Sequence, residues 1–113
     1  MAQSELQGHL DAMLLAVLRS GPLHGYGMVE ELRLRSGGEF DLAEGTIYPA
    51  LHRLERSGLL RSRWQIVEGR RRRVYELSRA GREAAGARLE SWRRFSRAIE
   101  AVLTPATEAG NER

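Results

Sequence analysis

The sequence contains no cysteine, which excludes disulfides, thiolate nucleophiles and most structural zinc sites. It also contains no lysine, so arginine supplies all 18 of its basic side chains. The longest apolar run, residues 12–18, is far too short to span a bilayer, and residues 1–8 are polar without the basic cluster of a secretory signal. With 113 residues there is room for one domain. These features predict a cytoplasmic protein that does not associate with a membrane.

Signatures of catalysis and metal binding are also missing. The three histidines, His9, His24 and His52, fall on different predicted elements and lack metal-ligand spacing, so we expect polar surface roles for them. Gly25-Tyr26-Gly27 follows a proline turn rather than a strand, which is the wrong context for a phosphate-binding loop. No serine-centred elbow or paired-carboxylate cleft is suggested. We therefore expect no cofactor, no metal and no enzymatic activity.

Charge is distributed unevenly along the chain. Residues 1–52 carry three arginines and seven acidic residues, a net charge of −4. Residues 53–97 carry fourteen arginines and five glutamates, a net charge of +9, and residues 98–113 return to −2. The concentration of positive charge in the second segment indicates a polyanionic partner that binds there.

Residues 43–57 have the periodicity of an amphipathic helix. Its predicted apolar face comprises Ala43, Ile47, Ala50, Leu51 and Leu54. Its opposite face comprises Thr46, Tyr48, Pro49, His52, Arg53 and Arg56. A positive helix N-terminus followed by exposed arginines suits an element that enters a DNA groove between phosphates. Asp41 and Glu44 have the spacing of a capping box, and Pro49 predicts that residues 42–45 are only loosely wound.

Residues 59–77 predict a β-hairpin that turns at Glu68-Gly69. Side chains alternate between the two faces of its first strand, and we expect Trp64 to lie in the core. Four consecutive arginines, residues 70–73, begin the second strand. Because these arginines repel each other, a polyanion that screens them is the favoured explanation, and a solvated arginine-rich turn is the alternative. Helix, helix and basic hairpin is the order of a winged helix-turn-helix.

Three further helices are predicted, over residues 5–19, 25–36 and 79–103. Ala12 and Leu15 widen the apolar surface of the first helix to two sides, which predicts two packing partners. The last helix has the 4-3-4-3-4 spacing of a coiled-coil contact, formed by Ala85, Leu89, Trp92, Ser96, Ile99 and Leu103. We therefore expect a homodimer. Its predicted interface contains Leu14, Ala85, Leu89, Trp92, Ile99 and Leu103.

These elements predict a mainly α fold with a small β-hairpin. Residues 1–78 are expected to form a winged helix-turn-helix DNA-binding domain, and residues 79–105 a long C-terminal dimerisation helix. Residues 106–113 are expected to form a flexible tail.

Several motifs occur together in a specific order. They are residues 21–26 (GPLHGY), 44–55 (EGTIYPALHRLE), 58–60 (GLL) and 69–78 (GRRRRVYELS). In this order and at these distances they resemble the PadR transcriptional regulators, specifically the short branch with a single C-terminal helix. The sequence departs from that family at Ala43, where a capping serine is common, and at Val74, where an aromatic residue is frequent.

The resemblance implies a homodimeric winged-helix repressor whose third helix contacts the major groove and whose wing contacts the DNA backbone. It also implies that the last helix packs against the partner subunit. The residues expected to contact DNA are Thr46, Tyr48, Pro49, His52, Arg53, Arg56, Arg63, Arg70, Arg71, Arg72, Arg73 and Tyr75.

A narrower resemblance concerns Glu90-Ser91-Trp92, which is similar to the short PadR-like repressors that respond to drugs. In those proteins a tryptophan from each subunit holds flat aromatic compounds at the dimer axis. Trp92 is thereby implied in an effector site whose other predicted residues are Ala12, Leu15, Asp11, Arg88 and Ser96. The alternative is that Trp92 is an ordinary interface residue.

The functional prediction is a sequence-specific repressor that binds double-stranded DNA at a near-palindromic operator and is released by a small aromatic or toxic ligand. The alternative, from a different class, is a protein-interaction module whose basic wing binds an acidic protein partner. Salt-dependent binding to duplex DNA with a sequence preference distinguishes the two.

Overall fold

The computed structural model describes residues 3–105, with side chains described from His9 onward. Its elements are α1 (Gln3–Val17), a 3₁₀ turn (Leu18–Ser20), β1 (Leu23–His24), α2 (Gly25–Arg35), α3 (Glu44–Arg56), β2 (Leu60–Val67), β3 (Arg70–Leu77) and α4 (Arg79–Leu103). They form a mainly α winged helix-turn-helix, which confirms the predicted fold class. The predicted tail, residues 106–113, lies outside the described residues.

Helix α1 is the centre of the helical layer, because α2, α3 and α4 all pack against it. Leu14 and Leu15 are both completely buried in the core of the chain. The second apolar side of α1 is therefore covered by this chain's own helices. The predictions that Leu14 lies in a subunit interface and that Leu15 lines a ligand site are wrong for this reason.

The hairpin, which we call the wing, forms as predicted. Glu68 and Gly69 both have positive φ, 52° and 78°, as a tight two-residue hairpin turn requires, and the register pairs Val67 with Arg70. An additional short strand, β1, pairs with β3 so that His24 lies opposite Val74. The sheet order is thus β1-β3-β2, and β1 brings the segment before α2 to the base of the wing.

The start of α3 differs from the prediction. The helix begins at Glu44 after Ala43, which is extended and makes no side-chain cap, so the capping box and the loosely wound segment are both wrong. Glu44 instead accepts a hydrogen bond from the Tyr48 hydroxyl at 3.0 Å. Pro49 lies inside the helix and removes the donor to the Gly45 carbonyl, but Gly45 is exposed and water can replace that donor.

The junction from α3 through the wing to α4 is closely packed. Gly58 ends α3 with φ of +82°, and the Leu59 amide donates to the Leu54 carbonyl at 3.0 Å, as expected for a glycine C-cap. The Ser78 hydroxyl caps α4 by accepting from the Gly81 amide at 3.0 Å and itself donates to the Gly58 carbonyl at 2.6 Å. These bonds fix the start of α4 against the end of α3.

Gly81→Ala is expected to lower the free energy of unfolding by about 3 kcal/mol, because the added Cβ would overlap the backbone carbonyl of Leu59. Gly86→Ala, in the same helix, is the matched control, since nothing lies within 4 Å of its added Cβ. That control should stabilise the chain by up to about 1 kcal/mol. Urea denaturation measures both changes, and equal stability of the two variants would contradict the close packing at Gly81.

Helix α4 extends well past the winged domain, and the molecule measures 58 × 28 × 24 Å. Ala85, near its start, is buried in the core, so its predicted place in a subunit interface is wrong. Farther along, large apolar side chains are exposed. They are Trp92, Phe95, Ile99, Val102 and Leu103, which we call the α4 strip. No described helix is both long and apolar enough to cross a membrane.

Candidate nucleic-acid interface

Helix α3 has two distinct faces, largely as predicted. Ile47, Ala50, Leu51 and Leu54 are buried in the core, whereas Ala43 is exposed. The opposite surface exposes Thr46, Pro49, His52, Arg53 and Arg56, with Tyr48 half-buried at its edge. The backbone here is held by packing on α1 and α2. The exposed face is therefore presented on a rigid element.

Tyr48 connects this face to the base of the wing. Burial, and then its hydrogen bond to Glu44, raise the pKa of the phenol, so it remains a neutral donor at physiological pH. Its hydroxyl lies so close to the Gly25 backbone that a Cβ on residue 25 would come within 2.6 Å of it. The absence of a side chain at Gly25 therefore sets the position of Tyr48.

Trp64 lies on the wing and is 51% exposed, so the expectation that it belongs to the core is wrong. Trp64 pairs with Arg73, farther along the hairpin than the core pair formed by Leu60 and Leu77. At that distance the hairpin extends away from the core, so Trp64 has no core residues to pack against. The guanidinium carbons of Arg71 and Arg73 lie 4.4 and 5.4 Å from the indole centroid. Trp64 thus stacks against two wing arginines through cation–π contacts.

The wing arginines have different partners. Arg73 donates from Nε to Ser62 Oγ at 2.9 Å and lies 3.8 Å from Glu55 of α3, so it fastens the wing to α3. Arg63, which was predicted to contact DNA, forms a 3.2 Å ion pair with Glu76 on the neighbouring strand. Arg70, Arg71 and Arg72 make no ion pair with any residue from His9 to Pro105. These three carry the uncompensated charge of the wing.

An open groove of about 530 Å³ separates α3 from the wing. Its lining residues are His24, Tyr48, His52, Trp64, Arg71, Arg72, Arg73 and Tyr75. Six of these were predicted as DNA contacts, and the structure brings them together. Two were missed. Trp64 could have been found from the sequence, because alternation along β2 places it on the same strand face as Ser62. His24 could not, because it reaches the groove on β1, a strand of two residues that is too short to show a periodicity.

Tyr75 lies at the floor of the groove and is only 2% exposed, so the prediction that it contacts DNA directly is wrong. It is paired with Leu23 on one side and Ser62 on the other, and it packs into the core. Burial, and then the nearby Glu55 carboxylate, raise the pKa of its phenol. Tyr75 supports the groove from below.

The structure also connects the two predicted sites. Asp11 of α1, expected beside a ligand, accepts a 2.7 Å hydrogen bond from Arg53 of α3, expected to contact DNA. The second oxygen of the same carboxylate lies 3.9 Å from Arg88 of α4. Three helices therefore meet at one ion-pair cluster.

Beside this cluster, Trp92 is 47% exposed and makes an edge-to-face contact with His9, with ring centroids 5.1 Å apart. The ring centroid of Phe95 lies 6.2 Å from that of Trp92. Ala12 and Ser96 are half-buried. His9 and Phe95 were missed as neighbours of Trp92, although Phe95 lies three residues farther along the same helix, which is a usable signal.

Comparison with known proteins identifies the family. The model of the transcriptional regulator PadR-like family matches residues 14–87, which include α3 and the wing. The chain belongs to this family. It is a PadR-like transcriptional regulator and not an enzyme, as predicted. The family match ends inside α4, before the α4 strip begins.

One relative is Transcriptional regulator Rv3488 of Mycobacterium tuberculosis, which is 48% identical over 62 residues. That match covers 55% of this chain and 55% of the relative, so it spans about half the relative's length.

Two solved PadR structures are similar over most of the chain. A PadR family transcription regulator from Clostridium difficile R20291 is 28% identical with a TM-score of 0.74, covering 85% of this chain and 99% of that one. A PadR-like transcriptional regulator from Bacillus cereus has a TM-score of 0.79 at 23% identity, covering 91% of this chain and 99% of that one. At 23% identity, the similarity to the Bacillus cereus structure shows a shared fold only.

Proposed function

We propose that this PadR-like regulator is a homodimeric, sequence-specific repressor that binds a near-palindromic DNA operator and responds to a planar aromatic ligand. The observation that carries the proposal is the groove in which Tyr48 and His52 of α3 lie opposite Arg71, Arg72 and Arg73 of the wing. The cytoplasmic location expected from the sequence belongs to the same proposal.

The exposed face of α3 provides the contacts that distinguish bases. His52 and Arg53 are exposed on one side of the helix, and Thr46 and Pro49 at its start are small enough to permit close approach. A helix presented in this way fits the major groove, where each base pair offers a distinct pattern of donors and acceptors. Arginine at such positions pairs most often with guanine.

The wing provides contacts to phosphates. Arg70, Arg71 and Arg72 have no carboxylate partner among the described residues, and Trp64 holds Arg71 from one side. Contacts to phosphates fix the position of the protein on the duplex but do not depend on base sequence. The wing therefore supplies affinity, and α3 supplies specificity.

The α4 strip supports the homodimer. Its five large apolar side chains are 40–83% exposed, and together they form a continuous stripe on one side of the helix. A second copy of the chain buries this stripe against its own α4, and the two-fold symmetry presents two copies of α3. Two recognition helices related in this way match two half-sites whose centres lie about 10 base pairs, or a multiple of that, apart.

The effector site is proposed at Trp92, whose ring contacts His9 and lies close to Phe95. Three aromatic rings beside a half-buried Ser96 offer stacking surfaces for a flat molecule, each stacked pair contributing about 0.5–1.5 kcal/mol beyond area burial. A bound ligand changes operator affinity only if it favours one arrangement of the two recognition helices over another.

Trp92→Ala is expected to abolish the binding of flat aromatic dyes, followed through the fluorescence anisotropy of the dye itself, because it removes the central stacking ring. Trp64→Phe is the matched control, since Trp64 lies on the wing away from α4 and dye binding should persist in that variant. Titration of each variant with dye, in the presence and absence of operator DNA, measures both effects. A Trp92→Ala protein that binds dye and releases DNA normally would show that Trp92 is an ordinary interface residue.

Competition between polyanions tests the proposed function against the protein-interaction alternative. Labelled duplex DNA is bound to the protein and then challenged with unlabelled duplex or with poly-glutamate of matched charge concentration. We expect duplex DNA to displace the label at far lower concentration, with an affinity that falls steeply as salt rises. Equal displacement by poly-glutamate would favour an acidic protein partner instead.

A further inference from the structure

The Asp11 carboxylate lies between two arginines from different helices. Its Oδ1 accepts from the Arg53 guanidinium at 2.7 Å, and its Oδ2 lies 3.9 Å from Arg88. The Asp11 side chain is 20% exposed, whereas Arg53 and Arg88 are 51% and 43% exposed. The carboxylate is thus shielded, and both guanidinium groups reach solvent.

We propose that Asp11 is a positioning residue of the DNA site, which holds Arg53 in the orientation that distinguishes bases. The inference rests on the proposed function and names a specificity determinant of that site outside the recognition helix. Asp11 belongs to α1, 42 positions before Arg53 in sequence, and precedes the residues that the family model matches.

The geometry leaves Arg53 able to bind a base while it is held. Guanidinium carries five N–H donors, and the hydrogen bond to Asp11 uses one of its terminal nitrogens. The remaining donors can still form two parallel bonds to the O6 and N7 atoms of guanine. Such a pair needs a fixed guanidinium plane, and a free arginine loses rotamer freedom when it forms one.

Arg56 provides an internal comparison. It lies one turn farther along the same exposed face of α3 and makes no ion pair with any described residue. An unheld arginine serves well as a phosphate contact, because a phosphate accepts hydrogen bonds from many directions. We therefore expect Arg53 to determine sequence preference and Arg56 to contribute affinity for all sequences.

The same carboxylate links α3 to the region of Trp92. Arg88 lies one turn before Trp92 on α4, and His9, which contacts Trp92, lies two residues before Asp11 on α1. A shift of α4 along α1 would change the distance between Arg88 and Asp11. It would thereby alter how firmly Asp11 holds Arg53.

The experiment compares Asp11→Ala with Glu90→Ala, using the full chain. Both variants remove one negative charge from a helix and introduce alanine, a better helix former. They differ because Asp11 pairs with two arginines, whereas Glu90 is exposed on α4 and makes no ion pair among the described residues. Affinity is measured for a selected duplex and for every single base-pair variant of it. The same panel is measured for Arg53→Ala and for the Asp11→Ala, Arg53→Ala double variant.

We expect Asp11→Ala to reduce discrimination about tenfold at the base pair where Arg53→Ala reduces it, and to leave the other positions unchanged. In the Arg53→Ala background the Asp11 change should have no further effect on discrimination. Glu90→Ala should preserve discrimination throughout.

Two results would overturn the inference. If Asp11→Ala raises affinity for all duplexes equally and discrimination is retained, Asp11 acts only through its charge. If its effect persists without Arg53, it acts on another residue. A wild-type protein with no sequence preference would overturn the proposed function itself, and that result is distinct from both.

Discussion

Replacing Arg70, Arg71 and Arg72 together with alanine will weaken binding to every DNA duplex alike and reduce its dependence on salt. The structure leaves these three arginines without carboxylate partners among the described residues, so each is available to a phosphate. Three lost phosphate contacts should flatten the slope of log affinity against log salt by roughly 2.7. Between 50 and 200 mM salt the wild-type protein should therefore lose about 40-fold more affinity than the variant.

The matched control replaces Arg93, Arg94 and Arg97 with alanine. Arg93, Arg94 and Arg97 are exposed and their replacement removes the same charge, but they lie on α4 rather than on the wing. Binding of labelled duplexes across a salt series measures both variants. An unchanged salt slope in the wing variant, or an equal change in the control, would mean that the wing does not contact phosphates.

Replacing Ile99 and Val102 with aspartate will convert the protein to a monomer and abolish tight operator binding. Both side chains are exposed in the single chain, at 40% and 83%, so the changes should leave its own fold intact. In a dimer they would bury two charges per chain without partners, at a cost of several kcal/mol. Loss of the second recognition helix should reduce operator affinity by about 10²- to 10⁴-fold.

Aspartate at Ala87 and Ala101 serves as the control for this change. Both positions are exposed on α4, and helical spacing places them away from the α4 strip. Sedimentation at micromolar concentration should report a dimer for the wild type and the control, and a monomer for the Ile99 and Val102 variant. A wild-type monomer, or a variant that remains dimeric, would refute the proposed role of the α4 strip.

Local signals in the sequence predicted much of the fold correctly. Helix α4 begins after the Ser78 cap and ends at Leu103, as predicted, because capping depends only on neighbours in sequence. The Glu68-Gly69 turn likewise determined the wing register. These features involve contacts between residues that are close along the chain.

The errors concern contacts between distant segments. Periodicity showed that α1 is apolar on two sides. It did not show that α2, α3 and α4 of the same chain cover both sides, and this packing buries Leu14 and Leu15. Strand alternation assigned Trp64 to the inner face of the wing. Alternation does not indicate where along its length the hairpin extends beyond the core, and Trp64 lies past that point.

The candidate site shows the same division. Helical spacing identified the exposed residues of α3, and the arginine run identified the wing. The pairing of Asp11 with Arg53 depends on how α1 packs against α3, and nothing local in the sequence indicates it. The groove residue His24 depends on pairing between β1 and β3, which a two-residue strand does not reveal.

Selection of duplexes from a random DNA pool by the full chain tests the central claim most directly. The proposed regulator should enrich one near-palindromic sequence, with half-site centres about 10 base pairs, or a multiple of that, apart. Its affinity for that sequence should exceed its affinity for unselected duplexes by about 10³-fold or more at physiological salt. A pool that remains random after repeated rounds, while the protein still binds DNA through charge alone, would contradict sequence-specific recognition by α3.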